Sequence, residues 1–413
     1  MTRLARGNSD TAMNASEWRA ASGLAAIFGL RMLGLFLILP VFALYGDALA
    51  GATPTLIGLA IGVYGLTQAL LQIPLGSLSD RIGRRPVILG GLLVFVMGSV
   101  IAAMAESIHA VILGRILQGA GAVAAAILAL AADLSRERQR SKVMAVIGIS
   151  VGAAFMLALV AGPIIAGAFG LGGVFWTTAA LALVATGLLY VVVPRGGQAG
   201  PRPETSVRRD ALKRVLTDPD LLRLDAGIFT LHLVMTASFV VFPVVLRDAL
   251  GLASADHWQV YIPVLLASVL VMGPVLGLGE RRRIMHRLLG VVVLALAVAD
   301  TALAIFLSTP PVVLFALWLF FAAFNILEAS LPSLVSRFAP GDARGTALGI
   351  YSTAQFAGAF VGGLAGGWLY GVAGVSGVFG ACAGLGAVWF VIALGLRAPA
   401  GDRSDIESAG SPL

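Results

Sequence analysis

Charged residues and cysteine are both scarce in this sequence. Asp, Glu, Lys and Arg together make up 12% of its 413 residues, whereas 59% are hydrophobic. So little polar surface cannot cover a water-soluble globule of this length, which excludes the soluble classes and indicates an integral membrane protein. The single cysteine, Cys382, excludes an internal disulfide and a site of several thiolates. No cleavable signal peptide is expected, because the first apolar stretch is long enough to span a bilayer.

The apolar residues gather in stretches of the length, about 20 residues, that a membrane-spanning helix needs. Twelve stretches qualify, and they predict an all-α integral membrane protein. The predicted spans are 19–45, 55–76, 87–104, 110–132, 143–169, 172–193, 221–246, 258–279, 288–307, 311–336, 345–371 and 374–396.

Basic residues are concentrated in alternate gaps between these stretches. The positive-inside rule assigns the basic gaps to the cytoplasm, and the even number of spans places both termini there. This asymmetry also accounts for the net charge of +7, so nucleic acid is not expected as a partner. Arg31 and Arg115 are exceptions, because they fall inside apolar stretches.

The longest gap, 194–220, is rich in Gly, Pro and Arg and predicts a flexible cytoplasmic linker. The predicted domains are an N-terminal six-helix bundle at 1–193, a C-terminal six-helix bundle at 221–396 and a polar cytoplasmic tail at 397–413. The two halves echo each other: Asp47-Ala48-Leu49, for example, returns as Asp248-Ala249-Leu250. Duplicated halves with a site between them are typical of secondary transporters.

The gap after the second span, residues 76–86, reads GSLSDRIGRRP. It resembles the motif A loop of the major facilitator superfamily, in which glycines permit a tight turn and Asp and Arg form ion pairs in one state of the cycle. The matching residues are Gly76, Asp80, Arg81, Gly83, Arg84 and Arg85. That family places an acid at the end of span four, so Asp80, Arg84 and Asp133 are expected to form a network that locks the outward-open state. The alternatives are a solvated basic loop and, for Asp133, a solvated charge.

Two further segments resemble motifs of the same superfamily. In span four, Arg115 and Gln118 share a helix face, as in motif B. A buried Arg is expected to face the bundle interior and have a partner; the alternative is an Arg that snorkels to the headgroups. Span five contains Gly162, Pro163 and Gly167 of motif C, which is associated with antiporters, but the match is incomplete. Its alternative is a Pro-kinked packing helix.

Span one reads LGLFLILP at 33–40, which is similar to the drug and proton antiporter branch of that superfamily. Many members of the branch carry an acid upstream in this helix, whereas this chain has Arg31. Arg31, the Arg115 segment and residues 324–329 together resemble the bacterial YajR-type transporters, over nearly the whole chain. The polar tail is expected to be too short for the soluble domain that follows the last span in that type.

The proton-coupling group is expected outside span one, because that span contains no acid. His232, Asp300 and Glu328 are the titratable residues well within spans. Glu328, one turn after Asn325, is the best candidate, because a carboxyl surrounded by hydrocarbon readily takes up a proton. His232 is a candidate relay, and Asp300 is a weaker candidate. The alternatives are a permanently paired Glu328, a packing His232 and a structural Asp300.

Together these features predict a secondary transporter that exports a solute in exchange for protons by alternating access. The alternatives are a proton-coupled importer and a non-transporting membrane assembly or receptor protein. No enzyme activity, cofactor or metal is expected, because the sequence offers no phosphate-binding loop, metal-ligand cluster or nucleophile with a base. The expected partners are a small-molecule substrate, protons and the lipid of the bacterial inner membrane, with the chain acting as a monomer.

The nature of the substrate is predicted from the helices that line the cavity in this superfamily, namely spans one, four, seven and ten. A large apolar cavity with two arginines favours lipophilic or weakly anionic compounds. The aromatic residues expected to line it are Phe36, Phe42, Phe239, Phe242, Phe320 and Phe324. The alternative is that most of them face lipid or neighbouring helices.

Overall fold

Helix is the dominant secondary structure of this protein, as the apolar stretches predict. The structure is a computed structural model that describes residues 13–194 and 205–397, with the side chains of the second range described from residue 210 onward. Its α-helices are α1 (Ala15–Phe36), α2 (Phe42–Tyr45), α3 (Pro54–Ile82), α4 (Arg84–Ala103), α5 (Ile108–Ala120), α6 (Ala124–Asp133), α7 (Arg140–Val191), α8 (Thr205–Thr217), α9 (Pro219–Asp248), α10 (Trp258–Arg281), α11 (Met285–Ile305), α12 (Pro310–Phe338) and α13 (Arg344–Leu394). The predicted tail beyond residue 397 lies outside the described residues.

Ten helical segments of the described residues are long and apolar enough to cross a membrane. Two of them, α7 with 52 residues and α13 with 51, are too long to be single spans. Each bends at a glycine with a left-handed backbone, Gly170 at φ 66° and Gly374 at φ 67°. A side chain would make this conformation unfavourable, so glycine is the residue that permits the turn. Counting α7 and α13 as two spans each gives twelve spans, with the breaks beside the predicted gaps.

Two spans that the sequence predicts as continuous are interrupted in the structure. The first span, predicted at 19–45, ends as α1 at Phe36 and resumes as α2 after turns around Pro40. Proline lacks an amide hydrogen and disfavours a helix interior, which explains the break. The fourth span, predicted at 110–132, is divided into α5 and α6, because Gly121 takes a non-helical ψ of 41°. Both interruptions lie close to the motifs that the sequence singles out in these spans.

Packing divides the chain into two compact units. The first contains Met1–Ala52 and Leu70–Arg202, and the second contains Thr53–Ala69 and Pro203–Leu413. The division near residue 202 falls inside the predicted linker. The sequence does not predict that the N-terminal part of α3 packs with the second unit.

The predicted flexible linker at 194–220 contains the helix α8 in its second part. Ala211 and Val215 of this helix are buried, and Arg214 forms an ion pair with Asp342 in the loop between α12 and α13. The expectation of a flexible segment is therefore wrong for this part, because its apolar residues find a surface to pack on. Residues 195–204 lie outside the described residues.

In the second unit, α9 and α13 approach so closely that only glycine fits at three positions of α13. A Cβ atom on Gly358 would lie 2.1 Å from the carbonyl oxygen of Phe229, and one on Gly362 would lie 2.2 Å from that of Leu233. One turn further, a Cβ on Gly366 would lie 2.7 Å from the Cα of Ala237. This spacing of small residues lets two membrane helices pack backbone against backbone.

Candidate functional site

In the first unit, Arg115 lies within a buried hydrogen-bond network. Its Nη1 donates to Oε1 of Gln118 at 2.7 Å, and Nε2 of Gln118 donates to Oγ of Ser99 at 2.8 Å. The Ser99 hydroxyl in turn donates to the carbonyl oxygen of Phe95 at 2.7 Å. Arg115 is 0% exposed, so the structure places it inside the unit rather than snorkelling at a surface. The i, i+3 spacing of Arg115 and Gln118 brings the two side chains together, as the sequence predicts.

Arg31, the second arginine within a span, lies against the same turn of α4. It is also 0% exposed, and its guanidinium carbon lies 5.3 Å from the centre of the Phe95 ring. A cation over an aromatic face is stabilised by the ring quadrupole, more strongly where water is excluded. Arg31 thus lies over the ring of Phe95, and the network of Arg115 ends on the carbonyl oxygen of the same residue. Two positive charges therefore lie in one buried region.

At the predicted cytoplasmic end of this unit, Arg84 joins the residues of the motif A segment to Asp133. Its Nε lies 3.2 Å from Oδ2 of Asp133, its Nη1 donates to Oγ of Ser79 at 2.8 Å, and it also forms an ion pair with Asp80. The structure thus brings together the three residues that the sequence predicts as a network. Gly83 has φ 100°, a conformation that requires glycine.

The remaining residues of the segment have different surroundings. Arg81 is exposed. A Cβ on Gly76 would lie 3.3 Å from the Cβ of Ala125, so Gly76 lets α3 approach α6 closely. Within the described ranges, the ion pairs of this segment involve Arg84 but neither Arg81 nor Arg85.

Arg85 binds the end of the sixth span rather than an acid. It donates to the carbonyl oxygens of Val193 at 3.3 Å and Pro194 at 3.2 Å, and also to that of Leu189. Arg19 donates to the two carbonyls in between, those of Val191 and Val192, each at 3.0 Å. Cations on the last carbonyls of a helix satisfy acceptors that have no helical partner and complement the helix dipole. Sequence reasoning did not find this contact, because neither arginine has a sequence neighbour that indicates its partner.

Glu17 is a second residue that sequence reasoning missed. It is 3% exposed and accepts hydrogen bonds from Nε and Nη2 of Arg136, both at 2.9 Å. It also forms a capping box with Asn14 at the start of α1. The Asn-x-x-Glu pattern before an apolar run was the available signal for the cap, but not for the ion pair.

The motif C residues of α7 pack against the interrupted first span. A Cβ on Gly162 would lie 2.6 Å from the carbonyl oxygen of Leu37 and 2.9 Å from Cγ of Pro40. Pro163 is buried beside it, whereas Gly167 is exposed. This geometry gives Gly162 a packing role, which agrees with the alternative of a packing helix.

In the second unit, Glu328 and His232 lie on either side of a glutamine. Nε2 of Gln355 donates to Oε1 of Glu328 at 3.1 Å and lies 2.9 Å from Nε2 of His232. The second oxygen of Glu328, Oε2, lies 3.8 Å from the same histidine nitrogen. An amide NH₂ has two hydrogens, so it can donate to both neighbours; this arrangement requires a neutral histidine with its proton on Nδ1.

We call these three residues the carboxyl cluster: Glu328 of α12, His232 of α9 and Gln355 of α13. The Glu328 side chain is 37% exposed and that of His232 is 10% exposed, so the cluster combines a reachable acid with a buried base. Gln355 was not predicted, although a polar residue within an apolar span was a signal. Asn325 instead contacts α10, where its Nδ2 donates to Oγ of Ser268 at 2.8 Å.

Asp300 forms no hydrogen bond with a member of the carboxyl cluster. It is 0% exposed, and neither carboxyl oxygen has a hydrogen-bond partner within the part of the chain that the structure describes. Its electrostatic neighbour is Cys382 of α13. A carboxyl in such a place is uncharged unless it has a partner, which favours the structural role over a coupling role.

Four of the six phenylalanines predicted to line a cavity are instead fully buried: Phe42, Phe239, Phe242 and Phe320. In the second unit, Phe242 stacks edge-on against Phe239 at 5.4 Å and Phe320 at 5.0 Å between ring centres. The prediction is wrong for these four residues, because the helix face that carries them packs on neighbouring helices. Phe36 is partly exposed, and Phe324 lies beside His232, with 6.1 Å between ring centres.

Comparisons with known proteins agree with this architecture. The sequence model described as Major Facilitator Superfamily matches residues 24–300 and 283–412. The chain is 46% identical to the inner membrane transport protein YajR of Escherichia coli K12, over 94% of this chain and 86% of that protein. It is 27% identical to the multidrug resistance protein MdtH of Aeromonas hydrophila, over 82% and 84% of the two chains. The crystal structure of a bacterial homolog of the human lysosomal transporter Spinster superposes with a TM-score of 0.75 at 14% identity, over 97% of this chain and 100% of that one.

Proposed function

Because the chain belongs to the Major Facilitator Superfamily of membrane transporters, we propose that it exports a small lipophilic or weakly anionic compound in exchange for protons by alternating access. The observation that carries the proposal is the carboxyl cluster, in which one acid within a span is held by Gln355 beside a histidine. The family assignment confirms the resemblance that the motifs indicated and the predicted all-helical fold. It is a family of transporters, so the chain is not an enzyme.

Glu328 is the proton carrier in this proposal. Its ionised form accepts the hydrogen bond from Gln355, and its Oε2 has no hydrogen-bond partner among the described residues. Protonation at Oε2 removes a charge from a largely apolar surrounding and therefore favours the state in which this helix face is closed to water. His232 is neutral in the arrangement described above. Protonation of its Nε2 would end the contact with Gln355 and place a positive charge 3.8 Å from Oε2, where it stabilises the ionised form of Glu328.

The export direction and the substrate class are supported by two further observations. A relative at 27% identity is named a multidrug resistance protein, which favours export. The two buried arginines of the first unit favour a substrate with some negative charge, because an anion would offset their desolvation. The motif A network of Asp80, Arg84 and Asp133 serves as the switch that holds one state. We place the protein in the bacterial inner membrane as a monomer, with both termini in the cytoplasm.

The test is flux in proteoliposomes of the purified protein. Lipophilic carboxylic acids and sulfonates are first screened by thermal shift, and the best hit is then used in radiolabelled form. With an imposed pH gradient, wild-type protein should accumulate the compound against its gradient and collapse the pH difference. Glu328→Gln mimics the protonated acid permanently, so it should retain exchange down a gradient and lose the uphill movement.

Two controls separate the possible causes of failure. Arg115→Ala should impair both downhill exchange and uphill movement, because it removes a buried positive charge and leaves Oε1 of Gln118 without its donor. Asp300→Asn should leave coupling unchanged, because Asp300 lies outside the carboxyl cluster. Uphill transport by Glu328→Gln at the wild-type rate would refute the proposed role. Movement of solute with protons in the same direction would identify an importer instead.

A further inference from the structure

A second carboxyl lies on the same face of α9 as His232, two helical turns nearer the start of the helix. Asp225 is 8% exposed, and its Oδ2 has no hydrogen-bond partner within the described ranges. A buried carboxyl without a partner is unfavourable for folding, so its presence calls for a reason. Asp225 lies near the start of α9, at the predicted cytoplasmic end of the seventh span.

A tyrosine lies on the face of α13 that packs against α9. Tyr351, one turn before Gln355, is 4% exposed, and its hydroxyl likewise has no hydrogen-bond partner among the residues described. Tyr351 lies within electrostatic range of both Glu328 and Asp225. Tyr351 also precedes by one turn Gln355, the residue that binds the acid of the carboxyl cluster.

The register of α9 on α13 places Asp225 and Tyr351 on helix faces that pack together. Gly358 packs on Phe229, and Gly362, four residues later, packs on Leu233, which is also four residues later. The two helices therefore run in the same direction and advance together. One turn earlier, this register brings residue 354 opposite Asp225. Tyr351 shares the helix face of residues 354 and 358, because residues three, four and seven apart lie on one side of a helix. The close glycine contacts hold this register fixed.

Three cations at this end of the second unit contact acids other than Asp225. Arg223 of α9 donates to Asp220 at 2.8 Å, Arg337 of α12 lies 3.8 Å from Glu280, and Arg214 of α8 pairs with Asp342. The titratable groups with which Asp225 shares this region are Tyr351 of α13 and Glu328 of α12, which interact electrostatically with one another. Asp225 is thus held by burial and by its position in the register rather than by an ion pair with one of these three cations.

We propose that Asp225 and Tyr351 form a proton path that links Glu328 to the cytoplasmic end of the second unit, a proposal that rests on the proposed role of Glu328. In one transfer, the Tyr351 hydroxyl accepts a proton released from Glu328 and gives its own proton to the Asp225 carboxylate. Tyrosine stays neutral overall, Glu328 becomes ionised, and Asp225 becomes protonated and then loses the proton to water. An intervening water or a rotation of the tyrosine closes each gap.

This path gives the proton a route distinct from that of the substrate. The Glu328 side chain is 37% exposed, but its Oε2 is buried. One side of this side chain therefore meets solvent, and Oε2 points into the protein interior. A proton that leaves through Tyr351 and Asp225 does not have to cross the surface to which a bulky apolar compound binds.

The experiment measures proton uptake by Glu328 directly and needs no substrate. Full-length protein in lipid nanodiscs is exposed to a light-triggered drop in pH, and the carbonyl stretch of protonated carboxyls is followed by time-resolved infrared spectroscopy. The band that Glu328→Gln removes is the signal of Glu328. Asp225→Asn and Tyr351→Phe should each slow its appearance by about a hundredfold, the effect of losing a positioned proton-transfer group, without moving its equilibrium midpoint.

Asp300→Asn is the matched control, since it also replaces a buried carboxyl of the second unit by an amide, and its rate should equal that of wild type. Asp225→Glu should restore the rate, and the double variant Asp225→Asn, Tyr351→Phe should be no slower than either single variant. If Asp225→Asn does not fold, Tyr351→Phe alone carries the test. Wild-type rates in the variants would overturn the proton path while leaving Glu328 as the carrier. If no band depends on Glu328, the proposed function fails and the path with it.

Discussion

The contact between α9 and α13 allows one prediction to be worked through from the structure. In Gly358→Ala, the new Cβ would lie 2.1 Å from the carbonyl oxygen of Phe229, whereas real Cβ atoms are essentially never closer than 3.0 Å to a neighbour. Both atoms that meet are fixed to helix backbones, so the two helices must separate by roughly 1 Å. Gln355, one turn away on the same helix, moves with α13.

The energetic consequence has two parts. Overpacking a tightly packed contact destabilises by about 1–3 kcal/mol. The hydrogen bond between Gln355 and His232, now 2.9 Å, lengthens beyond bonding distance, which adds about 1 kcal/mol. We therefore expect a loss of roughly 2–4 kcal/mol in the free energy of unfolding. The assay is unfolding of purified protein in mixed micelles by titration with sodium dodecyl sulfate.

A glycine of the same helix provides the control. A Cβ on Gly349 would meet nothing within 4 Å, so Gly349→Ala should be neutral or should stabilise by up to about 1 kcal/mol through helix propensity. The two variants therefore differ only in what the added methyl group meets. Equal unfolding free energies for Gly358→Ala and Gly349→Ala would refute the reasoning.

Three further predictions concern the ends of the helices. Arg136→Ala should lower the free energy of unfolding by about 1–3 kcal/mol, because it leaves the buried carboxylate of Glu17 without its main partner, whereas Arg138→Ala at an exposed position should have no effect. The Arg214 guanidinium holds the pKa of Asp342 below its usual value, so their contact is formed at neutral pH and lost as the pH falls through the lowered pKa. A spin label at exposed Leu212 should therefore become more mobile in acid. Asp342→Asn should abolish that pH dependence. Asp80→Asn should leave folding intact and shift the population toward the inward-open state by a factor of about five at most, since an ion pair as exposed as this one is worth under about 1 kcal/mol. Cysteines introduced on the two sides report the shift, and unchanged labelling rates in Asp80→Asn would contradict it.

The parts of the structure that the sequence predicts are those set by local pattern. Spans follow from apolar length, and the turns at Gly170 and Gly374 lie next to predicted gaps because glycine tolerates a left-handed backbone. The contact of Arg84 with Asp133 is long-range, and it was found only because the resemblance to a family supplied the pairing. The ends of the fourth span were predicted well, but not its interruption at Gly121.

The parts that the sequence does not predict depend on which helices become neighbours. Gln355 binds Glu328 because α13 packs against α9 and α12, and no spacing in the sequence encodes that arrangement. The burial of Phe239 and Phe242 has the same origin: an all-round apolar helix shows no polar face from which to infer direction. Motif resemblance supplied the pairing of Arg84 with Asp133 but not the contacts of Arg85 or of Gly162.

The binding of Arg19 and Arg85 to the end of the sixth span has a practical consequence. Five successive or nearly successive carbonyls, from Leu189 to Pro194, are satisfied by side chains of the same unit. A helix end closed in this way does not depend on the chain that follows it. A reporter protein inserted after Pro194, or a pair of separately expressed halves divided there, should therefore keep the first unit intact, which makes this position the natural place to attach a fluorophore for observing the transport cycle.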